Sequence, residues 1–341
     1  MSQGVWETRA GGRGGAYAPI TLRGPLAAVG HATRRMRLRL AVAASRGAVD
    51  LEFDNAMGLG KTMSHLAVLL HYCHGRRLRP HIRFSSPAYL AAGERDWFDT
   101  VFRLRPRGVE PVAFRPRVKI GTGLDYRLAD LDSEPTLEQA ATAMRRFVTF
   151  DETVVREADA FAVAHGLDAT SIAVHFRGTD KDIEAPRVDW KTLFAAVRLA
   201  ARAAPQARIF LTSDEPELIA AARATEFADR LVVFPCQEIF TGGRPALMAA
   251  TDRRRLAQEA AITLLIMAKC GASIRTASHL SAWASLINPQ QRVVMLNQPY
   301  GDAMPFPERQ IWARRLEPEQ LAAWLKAKTS PSRRVRASAS A

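Results

Sequence analysis

"SIAVHFRGTDKDIE", residues 171–184, begins as an apolar run and turns polar within a few residues. An uninterrupted apolar run of this length reads as a strand buried on both faces, and such strands belong to parallel sheets. His175, Arg177, Thr179, Asp180 and Lys181 then follow at its C-terminal end. In open α/β sheets ligands bind at the carboxyl ends of the strands. Arg177 offers a planar fork of donors suited to phosphate oxygens, and Lys181 a mobile positive charge. The plainer alternative is a surface turn closed by an Arg177–Asp180 ion pair, and the residues alone leave both open.

Outward from this strand the pattern alternates. "DETVVREADAFAVAH" precedes it as a helix, and "WKTLFAAVRLAARA", "ARIFLTS", "EPELIAAARATEF" and "RLVVFP" follow as helix, strand, helix and strand. "RRRLAQEAAITLLIMAKC", "GASIRTA", "SHLSAWASLIN" and "RVVMLN" continue the series. This predicts an α/β fold, a parallel sheet with helices on both faces. Earlier, "AVDLEFD" alternates as a half-buried strand, Leu66, Leu69, Leu70 and Cys73 recur at helical spacing, and "RPHIRFSS" reads as the next strand. Residues 91–150 look less regular, with long loops. The expected organisation is a basic disordered tail at 1–46, one Rossmann-like domain at 47–150 and a second at 151–312. A C-terminal helix at 313–328 and a disordered tail at 329–341 complete it.

Two more strand ends are polar. "LTSDEP" presents Ser213 and Asp214, and "IRTASHLS" places Ser278 at the start of a helix whose amides can hold an anion. Plain N-capping is the alternative for Ser278. Three polar strand ends on one sheet favour a shared crevice.

At 341 residues the chain accommodates two domains, and its composition, 48% hydrophobic and 24% charged, is that of a globular protein. No apolar run reaches the ~20 residues that span a bilayer, and the N-terminus lacks the apolar region of a secretory signal. Three widely spaced cysteines read as free thiols, so a cytoplasmic setting is expected. The net charge of +14 is concentrated in the tails: residues 1–46 carry eight arginines against Glu7 alone. Nucleic acid is therefore not the expected main partner, and a small polyanion suits a basic body better. The basic tails allow peripheral membrane contact.

"FDNAMGLGKT", residues 53–62, resembles a phosphate-cradling loop. A P-loop wants glycine five residues before Gly60, where Asn55 stands. The alternative is a glycine turn that lets a helix pack closely on its strand. His71, Cys73 and His74 suggest a metal site only on one short helix with no partner cluster, and Trp190 and Trp283 read as packing before sugar platforms.

"HFRGTDK" resembles the His-Val-Arg-Arg-Thr-Asp-Lys motif of the α1,6-fucosyltransferases, and "FLTSDEPELI" and "MAKCGASIRTASHLSAWASLINP" extend the match. The last segment is similar to the nodulation branch of that family in the spacing of Cys270 and Arg275 and of Ser278 and Pro289. "MGLGKTMSHLAVLLHYCHGRRL" resembles the family's first glycine turn and helix, with Lys61 where the family has an acid. The likeness runs over residues 50–297. It implies a GT-B-like fold, two Rossmann-like domains whose parallel sheets face a cleft, and inverting fucosyl transfer from GDP-fucose to a saccharide or lipo-oligosaccharide acceptor. It also implies no metal or other cofactor. By resemblance, His175 contacts the guanine, Arg177 the diphosphate, and Asp180, Asp214 and Ser278 belong to the donor site. Arg177 and Lys181 serve the leaving group, and Glu184 is the expected base. The family's glutamate falls at Ala185, its second motif arginine at Gly178, and its acid seven residues before Cys270 at Thr263, with Glu259 one turn earlier. Two rivals remain, a nucleotide-sugar-binding protein without catalysis and a P-loop ATPase using Gly60, Lys61 and Thr62. Acceptor selection is expected in the loops around 85–135.

Overall fold

The computed structural model describes residues 40, 47–54, 58–105, 117–120, 134–178, 185–236, 238, 250–299 and 306–329. The stretches 1–46 and 329–341 lie outside these residues except for Leu40 and Thr329.

The first sheet opens with β1 (Ala48–Phe53), α1 (Leu59–Gly75) and β2 (Arg79–Phe84), β2 running parallel to β1. Val49, Leu51 and Phe53 are buried, while Asp50 and Glu52 turn to the other face and meet His81 and Arg83 at 3.4 and 3.1 Å. The opposite charges of Glu52 and Arg83 across neighbouring strands support the pairing. A short helix α2 (Phe98–Val101) and β3 (Phe102–Leu104) follow, and β4 (Arg117–Ile120) joins the free side of β1, giving the order β2-β1-β4. The stretch expected to be loop-rich is partly ordered, because Trp97, Phe98 and Phe102 collapse onto the ring of Phe84 at centroid distances of 4.6, 5.1 and 6.1 Å. It also contains α3 (Leu137–Phe147), started by a reciprocal capping box between Thr136 and Gln139. Next, β5 (Val148–Phe150) pairs antiparallel with β3.

The second half follows the predicted alternation. It comprises α4 (Glu152–Ala164), β6 (Ile172–Phe176), α5 (Trp190–Ala203), β7 (Ile209–Ser213), α6 (Pro216–Ala222) and β8 (Leu231–Val232). Then come α7 (Arg253–Lys269), β9 (Ala272–Arg275), α8 (His279–Ile287), β10 (Arg292–Met295), α9 (Glu308–Arg314) and α10 (Pro318–Thr329). Asp151, Asp189 and Asp252 cap α4, α5 and α7 by accepting backbone N–H bonds. The strands form one parallel sheet, β10-β9-β6-β7-β8. Ile172, Val174 and Phe176 face the core shared with α5 and α10, whereas Ala173 and Phe210 face the opposite one. A side chain such as Leu193, wholly buried there, stabilises by about 1.5–3 kcal/mol. The C-terminal helical segment is two helices, with Leu316 between them bridging to Val294 beside β10.

One apolar cluster joins the sheets, running from Val49, Leu51 and Phe53 through α1 to Ile262, Leu264, Trp283 and Leu286 of α7 and α8. Gly60 makes this contact possible. A β-carbon there would stand 2.4 Å from the Leu280 nitrogen and 2.6 Å from the His279 carbonyl carbon, backbone atoms that cannot step aside. The expectation that this glycine fits a helix onto its own strand is thereby corrected, since it fits α1 onto α8. Beside it Ser64 Oγ lies 3.2 Å from His279 Nδ1 and accepts the Trp283 indole N–H at 3.1 Å.

Candidate active site

In the second sheet the chain moves from β6 to β7 and β8 on one side, then returns to place β9 and β10 on the other. The strand order therefore reverses between β6 and β9, and a crevice opens at the carboxyl ends of strands at such a reversal. The two segments that leave β6 and β9 there are Arg177–Gly178 and Thr276–Ser278. The abutment of α1 and α8 brings the start of α1 to the start of α8, beside the Thr276–Ser278 segment.

His175 and Arg275 are register partners on adjacent strands. His175 is 5% exposed, and its imidazole is pushed down to about 3 by burial first, then by the charges of Arg275 and Arg177. It is neutral at physiological pH. Its Nδ1, the Arg275 Nε and the Ser278 Oγ are buried and have no hydrogen-bond partner among the described residues. Unpartnered buried polar atoms are costly, and three of them fall together at one strand reversal, where a polar ligand would satisfy them. Ser278 does not cap α8 with its side chain, so the plain capping alternative is corrected. Its N–H donates instead to Glu308 Oε1 at 2.6 Å.

The Arg177 N–H donates to Thr276 Oγ1 at 2.9 Å, across the strand reversal. Its guanidinium remains one-third exposed, with Nε 3.9 Å from Asp214 Oδ2. Asp214 uses its other oxygen to accept the Gly178 N–H at 3.0 Å. Asp214 thus holds the turn after β6 as well as facing the arginine. Of the predicted residues, His175, Arg177, Asp214 and Ser278 come together at this end of the sheet. Asp180, Lys181 and Glu184 lie outside the described residues.

Glu215 joins the site without a signal in the sequence. A β-carbon on Gly178 would stand 2.0 Å from its Oε1, and the carboxylate accepts the Trp190 indole N–H at 2.8 Å and the Arg187 guanidinium at 3.2 Å. Glu215 therefore occupies the space that a side chain at 178 needs. Ala185 is buried against Ala277, Met295 and Trp312. Thr263 is buried, its Oγ1 3.7 Å from Cys236 Sγ. Glu259, with no exposed surface, accepts the Glu238 N–H at 2.9 Å and Arg255 Nε at 3.1 Å, and Arg255 grips Glu157 with both terminal nitrogens. Burial pushes the thiols of Cys73, Cys236 and Cys270 up to about 12, so all three stay protonated.

On the side of the first sheet, the Tyr89 hydroxyl accepts the Leu59 N–H at 2.9 Å, at the first turn of α1. Burial pushes that phenol up, against the smaller opposing effects of this bond and the Arg177 charge. Thr62, 1% exposed, turns its hydroxyl back to the Gly58 carbonyl at 3.3 Å. That geometry does not present it to a nucleotide-bound magnesium ion. Among the described residues no group of three His, Cys, Asp or Glu side chains is arranged to hold a metal, and no helix is long and apolar enough to cross a membrane.

No protein-family model matches the chain, and no curated protein does. Solved structures do. A NodZ α1,6-fucosyltransferase soaked with GDP-fucose is similar with a TM-score of 0.51 at 15% identity, over 75% of this chain and 99% of that one. Fucosyltransferase NodZ from Bradyrhizobium gives 0.50 at 15% identity with the same coverage. A mutant of Arabidopsis thaliana FUT1 in complex with GDP is more distant, at 0.48 and 10% identity over 83% of this chain and 80% of that one. The α/β fold of this chain, with its parallel sheets, is the GT-B-type fold of the NodZ fucosyltransferases.

Proposed function

We propose that the protein is an inverting glycosyltransferase that moves fucose from GDP-fucose to a saccharide or lipo-oligosaccharide acceptor. The observation that carries this is the convergence, where the strand order reverses, of a one-third-exposed Arg177 with buried and unpartnered His175 Nδ1 and Ser278 Oγ. The similar NodZ structure, soaked with GDP-fucose, suggests the ligand class. Departure of the sugar leaves growing negative charge on the diphosphate. Arg177, held by its own N–H and flanked by Asp214, is a preorganised donor for that charge and serves where other transferases use a metal ion. His175, kept neutral, presents an imidazole edge to the base without adding charge. Lys181 assists the leaving group, Asp180 completes the donor site, and Glu184 takes the proton of the acceptor hydroxyl. In this reading the enzyme works in the cytoplasm, and the arginine-rich sequence of its tails suits contact with an anionic membrane surface.

The test is titration calorimetry with GDP, ADP and UDP, followed by GDP release from GDP-fucose in the presence of oligosaccharide acceptors. GDP binding with acceptor-dependent release is the expected result. ATP hydrolysis that collapses in Lys61→Ala and survives Arg177→Ala would overturn the assignment. Binding of GDP without turnover selects a second reading, a nucleotide-sugar-binding protein. The buried Ala185 and Thr263, at positions where the resemblance places acids, favour that reading over any other rival.

A further inference from the structure

Arg177 stands on a turn that is itself held from behind. Building on the donor-site reading above, we propose that Glu308 is a positioning residue of that site. Its carboxylate fixes the 275–278 turn and, through Thr276, sets the backbone of Arg177.

Glu308 is 2% exposed and Arg275 wholly buried, and the two form a two-pronged ion pair. The same Glu308 oxygen that takes the Arg275 NH1 at 3.0 Å also takes the Ser278 N–H at 2.6 Å. Arg275 in turn donates to the Ser278 carbonyl at 3.2 Å and the Ser281 hydroxyl at 3.1 Å. The turn between β9 and α8 is thus clamped at both ends by one carboxylate and its partner. Midway along it the Thr276 N–H donates to the His175 carbonyl at 3.1 Å, and the Thr276 hydroxyl accepts the Arg177 N–H at 2.9 Å. Every link from Glu308 to Arg177 is a direct hydrogen bond or the covalent chain. The anchor is firm, because α9 is tied to α3 of the first half. Gln310 accepts the Leu137 N–H at 3.0 Å, and Arg314 meets Glu138 at 2.7 Å.

Stability alone does not account for the pair. Desolvating two charges costs as much as their attraction returns, and apolar residues of similar volume in place of such a pair are often neutral or stabilising. The pair's distinctive product is geometry, one orientation for the turn that carries Thr276.

The test compares the unaltered protein with Arg275→Met/Glu308→Leu, Glu308→Gln, Thr276→Val and Thr276→Ser. Each is titrated with GDP by calorimetry and unfolded thermally. The Met/Leu double variant should keep its Tm within a few degrees and weaken GDP binding about tenfold or more. Thr276→Val should weaken GDP to a similar extent, and Thr276→Ser, which restores the acceptor for Arg177, should recover it. Glu308→Gln covers the case in which the double variant fails to fold, and it should lose affinity in the same direction. Combining Thr276→Val with the ion-pair variant should give less than the product of the two losses, because both act along one route. GDP affinity unchanged in the ion-pair variants, with the unaltered protein binding normally, overturns the proposal. Failure of the unaltered protein to bind GDP overturns the donor-site reading itself, a separate outcome.

Discussion

Gly60 of α1 and Leu280 of α8 touch backbone to backbone, so closely that a β-carbon on the glycine would lie 2.4 Å from the Leu280 nitrogen. Gly60→Ala gains up to about 1 kcal/mol of helix propensity, but the overpacking costs about 1–3 kcal/mol or more, because the obstructing atoms are main chain. The variant should therefore be less stable in denaturant unfolding. Gly75, at the other end of the same helix, has no atom within 4 Å of the place a β-carbon would take. Gly75→Ala should be neutral or stabilising by up to about 1 kcal/mol. Opposite signs from the two substitutions test the contact directly.

Gly178 and Glu215 compete for one volume. Gly178→Ala forces the carboxylate off Trp190 and Arg187 and should destabilise by about 1–3 kcal/mol. In a Glu215→Ala background the same change should cost less, the remainder coming from the buried Phe176 ring, whose nearest carbon would lie 2.8 Å from the new β-carbon. Additive losses in the four-protein cycle would show that the two residues do not collide.

Acid should weaken the fold through one buried and one half-buried histidine. His175 is pushed down to about 3 and His65 to about 4, each mainly by burial, from an ordinary value of 6.5. Between pH 6.5 and 4 the unfolded chain binds protons that the native chain refuses, so stability falls as pH falls. The slope should be about 1.4 kcal/mol per pH unit for each histidine, and His175 alone carries it on towards pH 3. Denaturant unfolding at pH 7, 6 and 5 measures it, and His175→Gln should remove about half.

Arg177→Ala removes the exposed guanidinium while leaving the N–H bond to Thr276 intact. The barrier to transfer should rise by about 2.7–4 kcal/mol, a loss of ~100–1,000-fold in rate. Thermal unfolding should barely change, since the ion pair with Asp214 at 3.9 Å is long and partly solvated. Initial rates of GDP release measure the first and a thermal melt the second.

The alternation from Glu152 to Met295 is legible in the sequence because buried parallel strands are plain apolar runs and α4, α5 and α7 start at aspartate caps. "IAVHF" and "IFLTS" announce both strand and candidate site, since polar residues follow each at its carboxyl end, the first at the reversal and the second beside it. The helix Leu137–Phe147 lies in a stretch expected to be loop-rich, although Thr136 and Gln139 spell its capping box, a signal that lies in the sequence. Other features have no local signal. Nothing near Arg275 names Glu308, which is 33 residues away and meets it only after α9 folds back. Glu215 looks like an ordinary helix start until Gly178 is seen against it. Such pairings are set by tertiary packing, which local propensity does not encode.

The apolar interior shared by β1, α1, α7 and α8 has a practical corollary. Each half excised alone should be less stable than the intact chain, because the cut would strip it of a wall and expose Met63 and Leu66 in one half or Ile262 and Trp283 in the other. Truncation is thus a poor route to a minimal fragment carrying the candidate site, and substitutions in the intact chain are the right instrument for dissecting it.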